Sequence, residues 1–212
     1  MIFGGRKLLF LGAHPDDIEL GSGALLARVA ASSTDVLCVT LSDNQKNPAL
    51  RGLVEQHRRS MDVLGVPRDR VVVREFETRN FPRDRQQILE YLYELHQQAR
   101  PDVVFTHSAA DMHQDHNVVT QEALRAFRGT TVLGFDVVRS SHGFFPHFLV
   151  EVGEAEVEKK VRALAEYSTY REKYYFGAAL TRATLARNGA LAERAYAEGF
   201  DILRIVASFA AV

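Results

Sequence analysis

One cysteine stands in 212 residues, the formal net charge is −1, and no apolar run approaches the length of a membrane span. Each scarcity excludes a class. A lone cysteine, Cys38, cannot form an intrachain disulfide, and its setting, DVLCVTL, reads as a buried strand where a thiol stays reduced and inert. A charge this close to zero, with no basic face, argues against a nucleic-acid partner, because Lys and Arg must supply that affinity. Nothing reaches the ~20 apolar residues of a spanning helix. The start, MIFGGRKLLFLG, holds too short an apolar run for a signal peptide. The sequence therefore reads as a cytoplasmic chain with no membrane partner.

What is present is an ordinary globular balance, 46% apolar and 25% charged. The length fits one domain, residues 1–212, which at this size buries roughly 70% of its unfolded surface and needs no covalent staple. There is no internal repeat, linker or low-complexity tract. Apolar runs of strand length alternate with helical patterns: strands at 7–12, 35–42, 70–76, 102–108 and 131–140, and helices at 23–32, near 51–64, at 83–99 and at 116–127. Continuous apolar strands separated by helices predict an α/β fold, a doubly wound, mostly parallel sheet with helices on both faces. The last third, about 141–212, changes character. It shows a strand at 147–152 and an amphipathic helix at 154–173, then a mixed pattern.

Two polar clusters interrupt this scheme, each directly after a strand and before a helix. The first, FLGAHPDDIELGSG, holds His14, Asp16, Asp17 and Glu19; the second, THSAADMHQDHNVV, holds His107, Asp111, His113, Asp115 and His116. Buried charges are costly unless they are paired or hold a metal. Ligands of doubly wound sheets sit at the carboxyl ends of strands where the strand order reverses. An order beginning 3-2-1-4 opens both clusters into one crevice. A catalytic zinc takes three protein ligands and leaves a position open. His14 and Asp17, three apart in a turn, can point at one ion, with His116 as a third ligand, leaving Asp16 and His113 beside it as acid or base. Helix-capping carboxylates alone do not account for two histidine clusters.

These residues carry a family resemblance. AHPDDIELG resembles the AHPDDxExG signature of the PIG-L/LmbE-like zinc-dependent N-deacetylases, and HQDH resembles that family's second motif, HxDH. LGV at 64–66, RPDVVFTHSAADMHQDH, EALRAF and YAEGFDILRI are similar to family segments too, so the resemblance covers most of the chain. It implies a Rossmann-like fold, a Zn2+ cofactor (or another divalent ion such as Fe2+) and removal of an N-acetyl group from an N-acetylglucosamine-type sugar or glycoconjugate. It also implies a homo-oligomer, a trimer or hexamer. By position, His14, Asp17 and His116 match the metal ligands, Asp16 the general base and His113 a second catalytic residue. Asp115 matches a carboxylate that orients His113, and Arg51 a substrate contact. The pattern departs at Gln56 and Ser60, where relatives carry glutamate and alanine, and LSDNQKN lacks their glycine and glutamate.

On this reading Asp16 takes a proton from attacking water, a protonated His113 helps hold the oxyanion, and either group protonates the leaving amine. Glu19 reads as structural or as support for a ligand histidine, Asp111 and Ser108 as loop-shaping, and His107 as packing or support. Gly21 and Gly23 read as a helix start rather than a phosphate loop. His57, His142 and His147 are candidates for lining the pocket, and His96 reads as surface. Tyr167, Tyr170, Tyr174 and Tyr175 are candidates for a pocket wall or subunit contacts in the C-terminal third. A hydrolase of another acyl amide is the nearest alternative, and two other functions compete. An Fe(II) oxygenase uses a similar ligand set but needs no base beside the metal. A non-catalytic metal- or sugar-binding module would be indifferent to Asp16→Asn.

Overall fold

A computed structural model describes residues 3–32, 34–44 and 46–207. The chain runs β1 (Lys7–Gly12), α1 (Asp17–Ala30), β2 (Asp35–Thr40), α2 (Leu53–Leu64), β3 (Val71–Val73), α3 (Phe81–Ala99), β4 (Val103–His107), α4 (Gln114–Ala126), β5 (Thr131–Phe135), β6 (Phe148–Glu151), α5 (Glu154–Ala165), α6 (Ala178–Leu191) and β7 (Ala197–Arg204). The sheet order is β3-β2-β1-β4-β5-β7-β6. The first five strands are parallel, and β7 joins β5 and β6 antiparallel. The sheet is thus mostly parallel and doubly wound, and it reverses direction of growth between β1 and β4, as the order 3-2-1-4 anticipates.

The continuous apolar strands are explained by two buried faces. On one side Leu8 and Phe10 of β1 pack with Ile18, Leu25 and Leu26 of α1 and Met61 and Leu64 of α2. On the other Leu9 and Leu11 pack with Ile88, Leu89 and Leu92 of α3 and Val119 and Ala123 of α4. Successive side chains of a strand point to opposite faces, so both parities must be apolar. Cys38 lies in this core, and burial pushes its thiol up, away from reactivity.

The strands at 35–42, 70–76 and 131–140 are shorter than their apolar runs suggest, because the chain leaves the sheet to form loops over its carboxyl edge. The helix expected to run to 173 ends at Ala165, and two 3-10 turns, Ser168–Tyr170 and Tyr174–Phe176, follow. There the aromatics pack with Leu53 and Leu164 instead of continuing an amphipathic stripe.

Helix α1 begins six residues earlier than its apolar pattern, at Asp17, and is broken at Ser22, whose φ of −144° and ψ of 20° are not helical. The break leaves backbone groups without helical partners, and distant side chains satisfy them. Glu198 of β7 accepts from the Ala24 N–H (3.0 Å) and the Leu25 N–H (2.6 Å). Lys160 of α5 donates to the Leu20 carbonyl (2.7 Å) and to Glu198 (2.7 Å). Gly21 belongs to the same close approach, since a Cβ there would collide with the Phe135 ring. Gly21 and Gly23 therefore serve packing at the break rather than a helix start.

Candidate metal centre

The two clusters meet in a cleft of about 640 Å³ at the carboxyl ends of β1 and β4, where His14, Asp16, Asp17, His113 and His116 all face the cavity. His14 and Asp17 are brought together by the turn after β1, in which the His14 N–H donates to Asp17 Oδ2 at 2.7 Å. His113 is the N-cap of α4, and His116 and Asp115 lie in its first turn.

The hydrogen-bond network selects the histidine tautomers. His14 donates from Nε2 to Asp115 Oδ2 (3.0 Å), and His116 donates from Nδ1 to Asp111 Oδ2 (2.8 Å). In neutral rings the remaining nitrogens, His14 Nδ1 and His116 Nε2, then carry lone pairs, and they face one another at 3.2 Å. Asp17 adds its carboxylate, with Oδ2 at 3.4 Å from His14 Nδ1 and Oδ1 at 3.4 Å from His116 Nε2. Three converging electron-pair donors with no proton between them repel unless a cation sits among them. Four ligands at 2.0–2.1 Å from a tetrahedral zinc stand roughly 3.3 Å apart, so the spacing suits such an ion.

With a proton as the only available cation, the titration follows. Burial works against charge on His14, but Asp115 and Asp17 outweigh it and hold the ring at about 10. Asp17 sits well below the usual carboxylate range despite burial, through His116, His107 and His14.

The loop before α4 holds more than its own shape. Asp111 accepts the His113 N–H (2.8 Å) and the Ser140 hydroxyl (3.0 Å) as well as His116. It therefore fixes the ring as well as the loop, a role its position in the sequence did not show. Ser108 stays with the loop, bonding Asp201 and the Ala110 N–H.

Asp115 departs from its expected role. Its carboxylate holds His14, with the Arg79 and Phe81 N–H groups as further donors, and does not orient the His113 ring. Instead its backbone N–H donates to His113 Nδ1 at 3.2 Å. A ring that accepts there is neutral, and burial together with His116 and His14 lowers His113 to about 4. The protonated His113 expected from sequence is thus replaced by a neutral ring whose Nε2–H is available as a donor.

Asp16 stands at the N-cap of α1 with φ of 115°, a conformation L-residues rarely adopt, and makes no capping bond. Such strain persists where the surroundings impose it, and functional sites are where it collects. Burial, then Asp17, push its carboxyl well above the usual range, with Glu19 adding to the effect and His14 and Lys173 opposing it.

Other expectations are corrected. Arg51 is exposed and does not line the cleft; Arg79, Arg139 and Lys173 do. His57 is buried against Glu19 (2.8 Å), the Tyr167 hydroxyl (3.0 Å) and Thr40 (3.3 Å), and Glu19 therefore serves His57 and Tyr167 rather than a cleft histidine. His142 and His147 are exposed and do not line the cleft. His96 is not free on the surface: Nδ1 donates to the Ala126 carbonyl at 2.8 Å and the ring packs on Phe127. His107 accepts the Ala13 N–H at 3.0 Å and stacks on His116 at 3.8 Å, supporting the ring from behind. Tyr170 and Tyr175 line the cleft, Tyr167 is buried beneath it, and Tyr174 is exposed.

Residues 9–127 match the family model described as PIG-L: GlcNAc-PI de-N-acetylase. The uncharacterized deacetylase YaiS of Escherichia coli (strain K12) is 30% identical over 172 residues, covering 77% of this chain and 91% of that one. The 1D-myo-inositol 2-acetamido-2-deoxy-α-D-glucopyranoside deacetylase of Salinispora arenicola (strain CNS-205) is 26% identical over 182 residues, 70% of this chain and 59% of the relative. Among solved structures, the conserved protein TT1542 of Thermus thermophilus shares the fold with a TM-score of 0.78 at 24% identity, over 96% of this chain and 97% of that one. So does GalB, the 4-carboxy-2-hydroxymuconate hydratase of Pseudomonas putida KT2440, with a TM-score of 0.75 at 19% identity over 97% and 100%. The fold alone therefore does not select a reaction, but motif, family match and relatives converge, and the chain belongs to the PIG-L (GlcNAc-PI de-N-acetylase) family.

Proposed function

We propose that this protein is a zinc-dependent hydrolase that removes the acetyl group from an N-acetylglucosamine-type sugar or glycoconjugate. The observation that carries the reading is the convergence of His14 Nδ1, His116 Nε2 and the Asp17 carboxylate beside Asp16, a strained carboxylate without a capping role. Family membership supplies the reaction class, since the family model and both curated relatives are described as deacetylases.

His14, Asp17 and His116 hold the ion, and a bound zinc supplies polarisation of the acyl oxygen and a water far more acidic than bulk water. The remaining steps belong to the side chains. Asp16 takes a proton from the water as its oxygen bonds to the acyl carbon. The neutral His113 donates its Nε2–H to the oxygen on which charge develops. The carbon–nitrogen bond then breaks and the amine leaves with the proton that Asp16 carried, so acetic acid and a free amine, which ionise to acetate and an ammonium at neutral pH, account for every atom. Asp111 and Asp115 keep the ligand nitrogens inward, the support that metal-bound histidines ordinarily need.

The direct test is acetate release from N-acetylglucosamine conjugates by protein loaded with zinc and by the same protein after chelation. Release that chelation abolishes and zinc restores is expected. Release untouched by chelation would remove the ion from the reaction, and no release from any conjugate would remove the acetylated sugar.

A second expectation concerns protons. Since His14 binds a proton up to about 10 when no ion is present, loading zinc at pH 7 to 8 should release one, and apparent affinity should rise with pH in this range. Calorimetry in two buffers of different ionisation enthalpy reads that release. Its absence would take His14 out of the ligand set.

A further inference from the structure

The walls of the cleft differ in charge. The wall from the loops after β2 and β3 mixes signs, with Asp43, Glu75 and Glu77 beside Arg79 and Lys46, the last bound to Glu77 at 2.6 Å. The opposite wall, after β5 and α5, carries Arg139 and Lys173. Neither forms an ion pair with a carboxylate among the described residues. Both engage one aromatic ring: the Arg139 guanidinium carbon stands 5.8 Å from the centre of Tyr175, and Lys173 Nζ 5.7 Å from it and 3.9 Å from the centre of Tyr170. Tyr170 and Tyr175 are both buried, so this aromatic base is fixed.

Two like charges held over one platform with no carboxylate paired to either among the described residues repel, and an anion that joined them would relieve that repulsion. Burial and Arg139 together lower the Lys173 ammonium below its ordinary range, and Asp16, the acid acting on it, does not restore it.

Resting on the hydrolase reading above, we infer that the preferred substrate carries an anion, a phosphate or a carboxylate, on the part of the amino sugar remote from the acetyl group, and that Arg139 and Lys173 bind it with the sugar against Tyr170 and Tyr175. The cations select substrate and take no part in bond making. Arg can hold either anion through two parallel hydrogen bonds, and Lys adds a point charge.

The test compares N-acetylglucosamine 6-phosphate and 2-acetamido-2-deoxyglucuronic acid, which carry their anion at C6, with the neutral methyl N-acetylglucosaminide and diacetylchitobiose. Binding is measured by calorimetry on zinc-loaded Asp16→Asn, so that it does not depend on turnover, and acetate release on the zinc-loaded wild type. At least tenfold tighter binding and lower KM for an anionic member is expected, weakening with salt. The phosphate and carboxylate members show which anion the pair prefers. In Arg139→Gln/Lys173→Gln the anionic-over-neutral preference should fall at least tenfold, appearing in KM rather than kcat, whereas Arg139→Lys and Lys173→Arg should keep it. Equal binding of neutral and anionic sugars, or a preference unchanged by the double substitution, overturns the inference. Anion-selective binding with no acetate released would instead leave the subsite standing and overturn the hydrolase reading.

Discussion

Zinc-loaded Asp16→Asn is expected to release acetate about 10²- to 10⁴-fold more slowly than wild type, the usual contribution of a positioned general base. It should keep its metal and its melting temperature. The substitution is close to isosteric, and asparagine is among the few residues that tolerate the positive φ of 115° at this position. Asp16 is not one of the three converging donors, so the ion should stay. Burial and the neighbouring Asp17 disfavour charge on Asp16 in the absence of an ion, so removing the charge should not destabilise the fold and can stabilise it. The pairing of a large loss in kcat with unchanged zinc content and an equal or higher melting temperature separates a catalytic role from a structural one. Activity within tenfold of wild type in a metal-replete variant would remove Asp16 from the proton transfer.

Lys160→Met should lower stability by about 3–5 kcal/mol, because it leaves a buried carboxylate without its cation. Lys160 and Glu198 are only 5% and 2% exposed, so water cannot replace the lost partner. Glu198 also receives the Ala24 and Leu25 N–H groups, and Lys160 the Leu20 carbonyl, so the pair closes the break in α1 that directs the first turn of that helix, with Asp17, into the cleft. For a chain of this size each kcal/mol moves the melting temperature by roughly 2–4 °C, giving a fall of about 6–20 °C. Thermal unfolding of metal-loaded protein reads it. Lys160→Met/Glu198→Gln should recover part of the loss, since the amide oxygen still accepts a helix N–H without a buried charge. A single variant within 1 kcal/mol of wild type, or a double variant no better than the single, would mean that the pair is dispensable.

Much of this architecture was legible along the chain. Five parallel strands announced themselves because burial on both faces demands unbroken apolar runs, as in LLFL and VLCV. The two clusters could be joined in advance because connections of a doubly wound sheet leave one place where neighbouring strands diverge. The end of the chain resisted the same reading. β7 puts Glu198 and Gly199 inside, a carboxylate and a glycine where a strand signal expects apolar side chains; Glu198 serves the break in α1, more than 170 residues earlier, and Gly199 the close approach of Pro146 and Asn188. The Ala178–Leu191 helix spreads its apolar residues around its axis, so no stripe marks it.

At the site, the local spacing of the two motifs determined which side chains gather at the cleft, because a turn after a parallel strand leaves its residues few other directions. Only the tertiary structure decided what each then does. It turned Asp115 onto His14, set Asp111 against His116, made His113 a neutral ring and left Arg51 outside in favour of Arg139 and Lys173. Residue type and spacing specify chemistry that neighbours along the chain can share. The tautomer of a ring, the charge of a carboxyl and the lining of a wall depend on groups brought from elsewhere by folding.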